Sequence, residues 1–186
     1  MTKTALLLAA LLAAAGASAQ TVKLQTTEGD IRIQLDAEKA PKTVANFLQY
    51  VKAGHYSGVI FHRIIPNFMV QTGGYDAKLN QRPTKPPIPL ESHNGLSNLR
   101  GSVAMARTGD PNSATSQFFI NVVDNLFLDG EPDAPRSGYA VFGQVVEGID
   151  VVDKIRAAET KPAGMHENLP VKPIFITKAL VEPVKK

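Results

Sequence analysis

The sequence predicts a mainly β protein in which two α-helices pack on one sheet, arranged as a barrel or a sandwich. About eight segments have the apolar pattern of β-strands, whereas only two have the apolar period of a helix. The chain also contains 14 Gly and 13 Pro, slightly more than the usual share of about 12%, which indicates many tight turns. Its 186 residues favour a single domain.

The first predicted element is a β-hairpin. Residues 21–35 alternate apolar and polar side chains on either side of Thr27-Glu28-Gly29-Asp30, which is typical of two antiparallel strands joined by a tight turn. A helix follows, because Pro41 suits a first helical turn and Gly54 suits a helix exit. The apolar residues between them recur at i, i+3, i+4 and i+7: Val44, Phe47, Leu48 and Val51.

The rest of the chain alternates predicted strands with long loops. Residues 80–89 contain four prolines and so form a surface loop, and residues 124–138 form a second loop that carries the apolar trio Leu126-Phe127-Leu128. A short second helix is predicted from Ile149 to Ala157. Six further strands are predicted at residues 59–64, 68–72, 101–106, 117–122, 139–146 and 171–181.

The first nineteen residues have the pattern of a secretory signal peptide. Lys3 precedes an apolar run of Ala and Leu at residues 5–15, and the run ends in the small-residue sequence Ala17-Ser18-Ala19. We expect cleavage after Ala19 and a secreted domain of residues 20–186. No other stretch approaches the roughly 18 apolar residues of a membrane span, so no membrane partner is expected.

Composition excludes several kinds of chemistry. The chain has no Cys, so it has no disulfide, thiol nucleophile or iron–sulfur cluster. The net charge of +3 comes from scattered Lys and Arg, which gives no support for nucleic-acid binding. Nucleotide-binding and serine-nucleophile signatures are missing. No metal site is expected either, because the four histidines have no ligand spacing: His55, His62, His93 and His166.

Four other motifs are long and specific. They are Phe61-His62-Arg63-Ile64-Ile65-Pro66-Asn67-Phe68-Met69-Val70-Gln71-Thr72-Gly73-Gly74, Met105-Ala106-Arg107, Ser116-Gln117-Phe118-Phe119-Ile120 and Phe127-Leu128-Asp129-Gly130. In these motifs the chain resembles the cyclophilin family of peptidyl-prolyl cis/trans isomerases, most closely its bacterial periplasmic members. The resemblance extends over essentially all of residues 20–186.

The resemblance implies a fold, an activity and a location. The family fold is a closed eight-stranded antiparallel β-barrel with an α-helix at each end. The implied activity is isomerisation of X-Pro bonds in unfolded or flexible polypeptides of the periplasm, which assists their folding. It requires no cofactor, and we expect a monomer whose partners are proline-containing polypeptides.

The resemblance also assigns the site residues. Arg63 is expected to be catalytic, by donating a hydrogen bond to the nitrogen of the twisted imide. Gln71 is expected to orient that guanidinium and to contact the substrate backbone. Arg107 is expected to bind substrate through its main chain, with a solvated side chain. The substrate-binding residues are Phe68, Met69, Ala106, Arg107, Gln117, Phe119, Phe127, Leu128 and Tyr139.

Considered without the motifs, these residues have ordinary explanations. Arg63 has the position of a surface arginine or of a strand ion pair, and the apolar residues have the positions of core residues. Two other functions also remain open. One is a binding module or chaperone that holds proline-containing segments with little turnover, and the other is an inert secreted barrel.

Two positions depart from the best-known eukaryotic members of the family. Phe127 stands where they have tryptophan, and Tyr139 stands where they have histidine. Phenylalanine lacks the N–H donor of an indole, so we expect weak binding of cyclosporin-type inhibitors. The ring of Tyr139 still suits the wall of a proline pocket, so we expect turnover to be retained.

Overall fold

The computed structural model describes residues 20–183. The predicted signal peptide and its cleavage site after Ala19 lie outside the described residues, and so does the end of the C-terminal tail, residues 184–186. No helix in the described part of the chain is long and apolar enough to cross a membrane.

The fold is mainly β, as predicted, with two α-helices. The helices are α1 (Pro41–Lys52) and α2 (Ile149–Arg156). The strands are β1 (Thr21–Thr26), β2 (Gly29–Leu35), β3 (Val59–Ile60), β4 (Arg63–Ile65), β5 (Met69–Thr72), β6 (Ser102–Met105), β7 (Phe118–Asn121), β8 (Val141–Glu147), β9 (Thr160–Ala163), β10 (His166–Pro170) and β11 (Phe175–Val181). Nine strands form one antiparallel sheet in the order β3-β11-β1-β2-β8-β6-β7-β5-β4, and β9 pairs with β10.

The main sheet has nine strands where eight were predicted. The predicted strand at residues 59–64 is divided into β3 and β4 by Phe61-His62, because the backbone changes partner there. The Phe61 amide donates to the Ile174 carbonyl at 2.9 Å, and the His62 amide donates to the Gln71 carbonyl at 3.1 Å. The two edge strands of the sheet are therefore consecutive in the chain, and the sheet curls to bring them together.

The helices cover apolar faces of the sheet. In α1 the predicted apolar positions are buried, and the ring of Phe47 packs against those of Phe118 and Phe142 with centroids 5.2 and 5.1 Å apart. Helix α2 buries Val152 and Ile155. It begins after Gly148, whose φ is +87°, and a Cβ at this position would collide with the Asp30 carbonyl oxygen. Glycine is therefore required at this entry.

The interior is divided into a large core and a smaller one. The smaller core consists of Met69, Ala104, Phe119, Leu128 and Val141. It lies on β5, β6, β7 and β8 and on a 3-10 helix, Leu126–Leu128. Phe68, Ala106 and Tyr139 pack against it while partly exposed.

Two elements were missed by the sequence patterns. The β9–β10 hairpin has no alternating apolar face, because its strands contain Lys161, Pro162 and Glu167 and pair through a bulge. The 3-10 helix lies in the predicted loop at residues 124–138. It gives the apolar trio two environments, since Leu128 is buried whereas Leu126 and Phe127 are exposed.

Candidate active site

The pairing register of four neighbouring strands places predicted site residues side by side. Arg63 of β4 pairs with Gln71 of β5, Gln71 pairs with Phe119 of β7, and Phe119 pairs with Ala104 of β6. The motifs that are far apart in the chain therefore meet on one face of the sheet. The Leu126–Leu128 helix and Tyr139 complete the face, and the Tyr139 amide donates to the Leu128 carbonyl at 2.9 Å.

A cavity of about 190 Å³ opens on this face. A water molecule takes up about 30 Å³ of liquid, so the cavity holds about six waters and has room for a five-membered ring. Nine of the eleven predicted site residues line it: Arg63, Phe68, Met69, Gln71, Ala106, Arg107, Phe119, Leu128 and Tyr139.

The other two predicted residues, Gln117 and Phe127, contact the lining rather than the cavity. The Gln71 side-chain amide donates to Gln117 Oε1 at 3.0 Å. The ring of Phe127 stacks on that of Phe68, with centroids 5.7 Å apart and 22° between the planes. Phe127 is 75% exposed, so it extends the apolar surface of the cleft outward.

The floor of the cavity is apolar and is built into the smaller core. Met69, Phe119 and Leu128 are 1%, 4% and 8% exposed. Because side chains in a packed core have few alternative rotamers, this floor exists before any ligand arrives. Such a surface can accept an apolar ring with little rearrangement.

The Arg63 guanidinium lies at the rim of the cavity. Its Nη1 is 3.5 Å from Gln71 Oε1 and 3.9 Å from Met69 Sδ, and its Cζ is 5.9 Å from the centroid of the Phe68 ring. The bond from Gln71 Nε2 to Gln117 fixes the amide so that Gln71 Oε1 faces the arginine. Arg63 forms no ion pair with a described carboxylate, so most of its N–H donors are available to a ligand.

The prediction that the Arg107 side chain is solvated is wrong. The side chain is half-buried, with its Cζ 4.6 Å from the centroid of the Tyr139 ring. Its Nε donates to the Gly138 carbonyl and its Nη1 to the Thr108 carbonyl, both at 2.9 Å. The aromatic face and two carbonyl acceptors compensate for its desolvation, and Arg107 in turn holds Tyr139, whose ring meets that of Phe119 edge to face.

A buried network of asparagines, not predicted from sequence, supports two walls of the cavity. Asn125 Nδ2 donates to the Phe68 carbonyl at 2.8 Å and to Asn121 Oδ1 at 2.7 Å. Asn121 Nδ2 donates to Asn98 Oδ1 and to Ser102 Oγ. The three asparagines are at most 2% exposed. The only sequence signal is an asparagine ending the apolar strand Phe118-Phe119-Ile120.

His62, which directly precedes Arg63, is a further buried polar residue next to the site. Its ring lies against those of Tyr75 and His166, with centroids 4.8 and 5.7 Å away, and its Nδ1 is buried without a hydrogen-bond partner. Burial, followed by the charge of His166, lowers the pKa of His62 to about 4. His62 is therefore neutral near pH 7.

The pKa of His62 predicts acid destabilisation. Between about pH 6.5 and 4 the unfolded chain binds a proton at this residue and the folded protein does not, so the free energy of unfolding falls as the pH falls. The full effect is about 3 kcal/mol. Denaturant unfolding across this range should show a steeper pH dependence for wild type than for His62→Gln, and parallel curves would contradict the assignment.

A larger groove of about 950 Å³ lies between the end of β2 and the loop that precedes β6. Leu35, Leu96, Leu99 and Val141 contribute its apolar surface, and Asp36 and Glu38 are also in its lining. It contains neither an arginine nor an aromatic ring. The smaller cavity has both, so it is better suited to bind an apolar ring and to donate hydrogen bonds to a polar group beside that ring.

Comparisons with known proteins agree with this geometry. Residues 21–181 match the family model described as cyclophilin type peptidyl-prolyl cis-trans isomerase. Peptidyl-prolyl cis-trans isomerase A of Dickeya dadantii is 53% identical over 161 residues, which are 86% of this chain and 83% of the relative. Peptidyl-prolyl cis-trans isomerase B of Escherichia coli is 49% identical over 161 residues, 86% of this chain and 98% of the relative.

A solved structure is similar over nearly the same span. The cyclophilin type peptidyl-prolyl cis-trans isomerase of Cryptosporidium parvum, crystallised in the presence of the dipeptide Ala-Pro, superposes with a TM-score of 0.73 at 25% identity. The match covers 88% of this chain and 99% of that one.

Proposed function

The chain belongs to the cyclophilin-type peptidyl-prolyl cis/trans isomerase family and is an isomerase, and from that premise we propose how its cleft accelerates X-Pro rotation. The proline ring is held by Phe68, Met69, Phe119 and Leu128. Arg63 donates a hydrogen bond to the imide nitrogen as the amide twists. The observation that carries this proposal is a guanidinium with free donors at the rim of a cavity of about 190 Å³ that has an apolar floor.

The chemistry requires no covalent bond to break. The trans form of an X-Pro bond is favoured by only about 0.5–1 kcal/mol, yet the barrier is about 18–20 kcal/mol because rotation removes amide resonance. In the twisted state the nitrogen lone pair leaves conjugation and becomes an acceptor. A fixed donor at that position therefore stabilises the transition state more than either planar form.

The required acceleration is within the reach of such a site. Bringing a crossing of tens of seconds to milliseconds is four to five decades, which is about 5–7 kcal/mol. An arginine suits the task because it keeps its proton at every relevant pH. Gln71 and Gln117 orient it, and the main chain at Ala106 and Arg107 aligns the substrate backbone.

Exchange NMR tests the turnover directly. With catalytic amounts of residues 20–186 and a capped proline tetrapeptide, we expect exchange between the cis and trans peptide signals that rises in proportion to enzyme concentration. Binding shifts without enhanced exchange would instead support a module that holds proline-containing segments. The exposed side chains of Leu126 and Phe127 beside the cleft favour that function as the second candidate.

We propose that the substrates are unfolded or flexible polypeptides of the periplasm, that the enzyme assists their folding, and that it acts as a monomer. The support for secretion is the Lys3, apolar run and Ala17-Ser18-Ala19 pattern of the first nineteen residues. Mass spectrometry of the secreted protein is expected to find Gln20 as its first residue. A product that retains residues 1–19 would contradict the assignment.

We also propose that the curled sheet is continuous as a closed barrel. The edge strands β3 and β4 are separated only by Phe61 and His62, whose amides donate to Ile174 and Gln71 on opposite sides. Closure leaves no free edge to fray. It would hold Arg63 and Gln71 in a constant register at the cavity.

Inhibition by cyclosporin is expected to be weak. Phe127 provides stacking but no N–H donor where the eukaryotic relatives have an indole. Phe127→Trp is expected to tighten cyclosporin binding about tenfold, the value of one good hydrogen bond, and titration calorimetry of both proteins measures it. Submicromolar inhibition of the wild-type protein would overturn the expectation.

A further inference from the structure

We propose that the cleft prefers substrates with a carboxylate side chain next to the proline, and that the Arg107 guanidinium binds this carboxylate. The inference deepens the isomerase function proposed above and rests on it. It assigns a specificity-determining role to the Arg107 side chain, for which the sequence motifs indicated no function.

The first observation is that the cleft holds two guanidinium groups with no acidic partner. Arg63 and Arg107 both line the cavity, and neither forms an ion pair with a described carboxylate. Of the five other arginines among the described residues, Arg82 donates to the His55 carbonyl and forms no ion pair, whereas four pair with Asp or Glu: Arg32, Arg100, Arg136 and Arg156. The positive charge of the cleft is therefore left for a ligand to neutralise.

The second observation is that Arg107 is held in place before a ligand binds. The Tyr139 ring supports one face of its guanidinium at 4.6 Å, and Nε and Nη1 each donate to a backbone carbonyl. Nη2 takes part in neither of these bonds. A planar donor that is already immobilised loses little side-chain entropy when it binds a carboxylate, so this arginine can contribute to selectivity despite its partial exposure.

The third observation is the distance between the two arginines along the sheet. Arg63 on β4 is separated from the end of β6 by three strand spacings, through Gln71 on β5 and Phe119 on β7. Three spacings are about 14 Å, and an extended peptide covers about 3.3 Å per residue. That span is about four residues of extended peptide between the two backbones, but both arginine side chains line the same cavity of about 190 Å³. With a proline in that cavity, a long side chain on a flanking residue therefore comes within reach of Arg107.

The test compares isosteric peptides that differ only in charge. Capped pentapeptides Ala-Xaa-Pro-Zaa-Ala carry Glu or Gln at Xaa or at Zaa, and exchange NMR gives kcat/KM for each. At low salt we expect a Glu-to-Gln ratio of about three to ten at one or both positions, as for a charge-assisted hydrogen bond near the surface. The ratio is expected to fall towards one at about 0.5 M NaCl, where screening is strong.

Three variants test whether Arg107 causes the preference for Glu over Gln. Arg107→Gln is expected to bring the ratio close to one, and Arg107→Lys to keep part of it. Arg136→Gln removes the same charge from the neighbouring loop, where Arg136 meets Asp110 at 3.7 Å, and it is expected to retain the wild-type ratio. Because each ratio is taken within one protein, a general loss of rate in a variant does not affect it.

A wild-type ratio of one or less at both positions overturns the proposal, and so does a preference that persists in Arg107→Gln. If that variant does not fold, the wild-type salt dependence and Arg107→Lys decide the outcome. Failure of the isomerase function gives a different result, since no peptide, charged or neutral, would then show enhanced exchange.

Discussion

Arg63→Ala is expected to lower kcat/KM for a proline tetrapeptide by a factor of about 100 to 1,000, which is the usual effect of removing one donor aimed at transition-state charge. The dissociation constant of the peptide should change little, because in the proposed binding mode the proline ring is held by the apolar floor of Met69, Phe119 and Leu128. Exchange NMR measures the rate, and chemical-shift titration measures the binding. Arg63→Lys should be intermediate, since an ammonium group retains the charge but not the planar donor set.

Arg136→Ala is the matched control for this variant. It removes an exposed arginine outside the cavity and is expected to keep the wild-type rate. If Arg63→Ala isomerised the peptide as fast as wild type, the catalytic assignment of Arg63 would be refuted. If the variant lost rate and binding in equal proportion, Arg63 would be a binding residue rather than a transition-state donor.

Asn121→Ala is expected to destabilise the fold by about 3 kcal/mol. The substitution leaves Asn98 Oδ1, Ser102 Oγ and one donor contact of Asn125 without their partner in a region closed to water, and each unsatisfied buried group costs about 1–3 kcal/mol. For a chain of this length the melting temperature should fall by about 6–12 °C. Differential scanning calorimetry and urea unfolding measure the change.

Asn168→Ala is the matched control, since Asn168 lies on β10 outside the network and is only partly buried. It should change stability by no more than about 0.5 kcal/mol. The Asn121 variant should also raise KM, because Asn125 connects the Phe68 carbonyl with the segment that carries Leu128. A destabilisation equal to that of the control would show that water replaces the lost amide.

The parts of this protein that could be predicted from sequence are those that depend on residues close together in the chain. Helix α1 and the opening hairpin followed from periodicity and turn residues. The long motifs brought nine of the eleven predicted site residues to one cavity. The division of residues 59–64 into two strands was not predictable, because it depends on Ile174, a partner far along the chain.

The unpredicted features of the site depend in the same way on tertiary neighbours. The Arg107 side chain is held by Tyr139 and Gly138, which come from a different loop. The burial of His62 depends on the β9–β10 hairpin, which brings His166 against its ring. These contacts cannot be predicted from composition or from the spacing of motifs. For this reason the sequence predicts a solvated Arg107 side chain, whereas the structure places that side chain in the lining of the cleft.

The pairing of β1 with β11 has a consequence for how the chain matures. Val22 lies opposite Val181, and β11 is the strand that joins β1 to β3 in the sheet. A nascent polypeptide on the ribosome lacks this connection until β11 (Phe175–Val181) has been made. Because such distant pairings are slow to form, we expect the nine-stranded sheet to be completed only after β11 has left the ribosome.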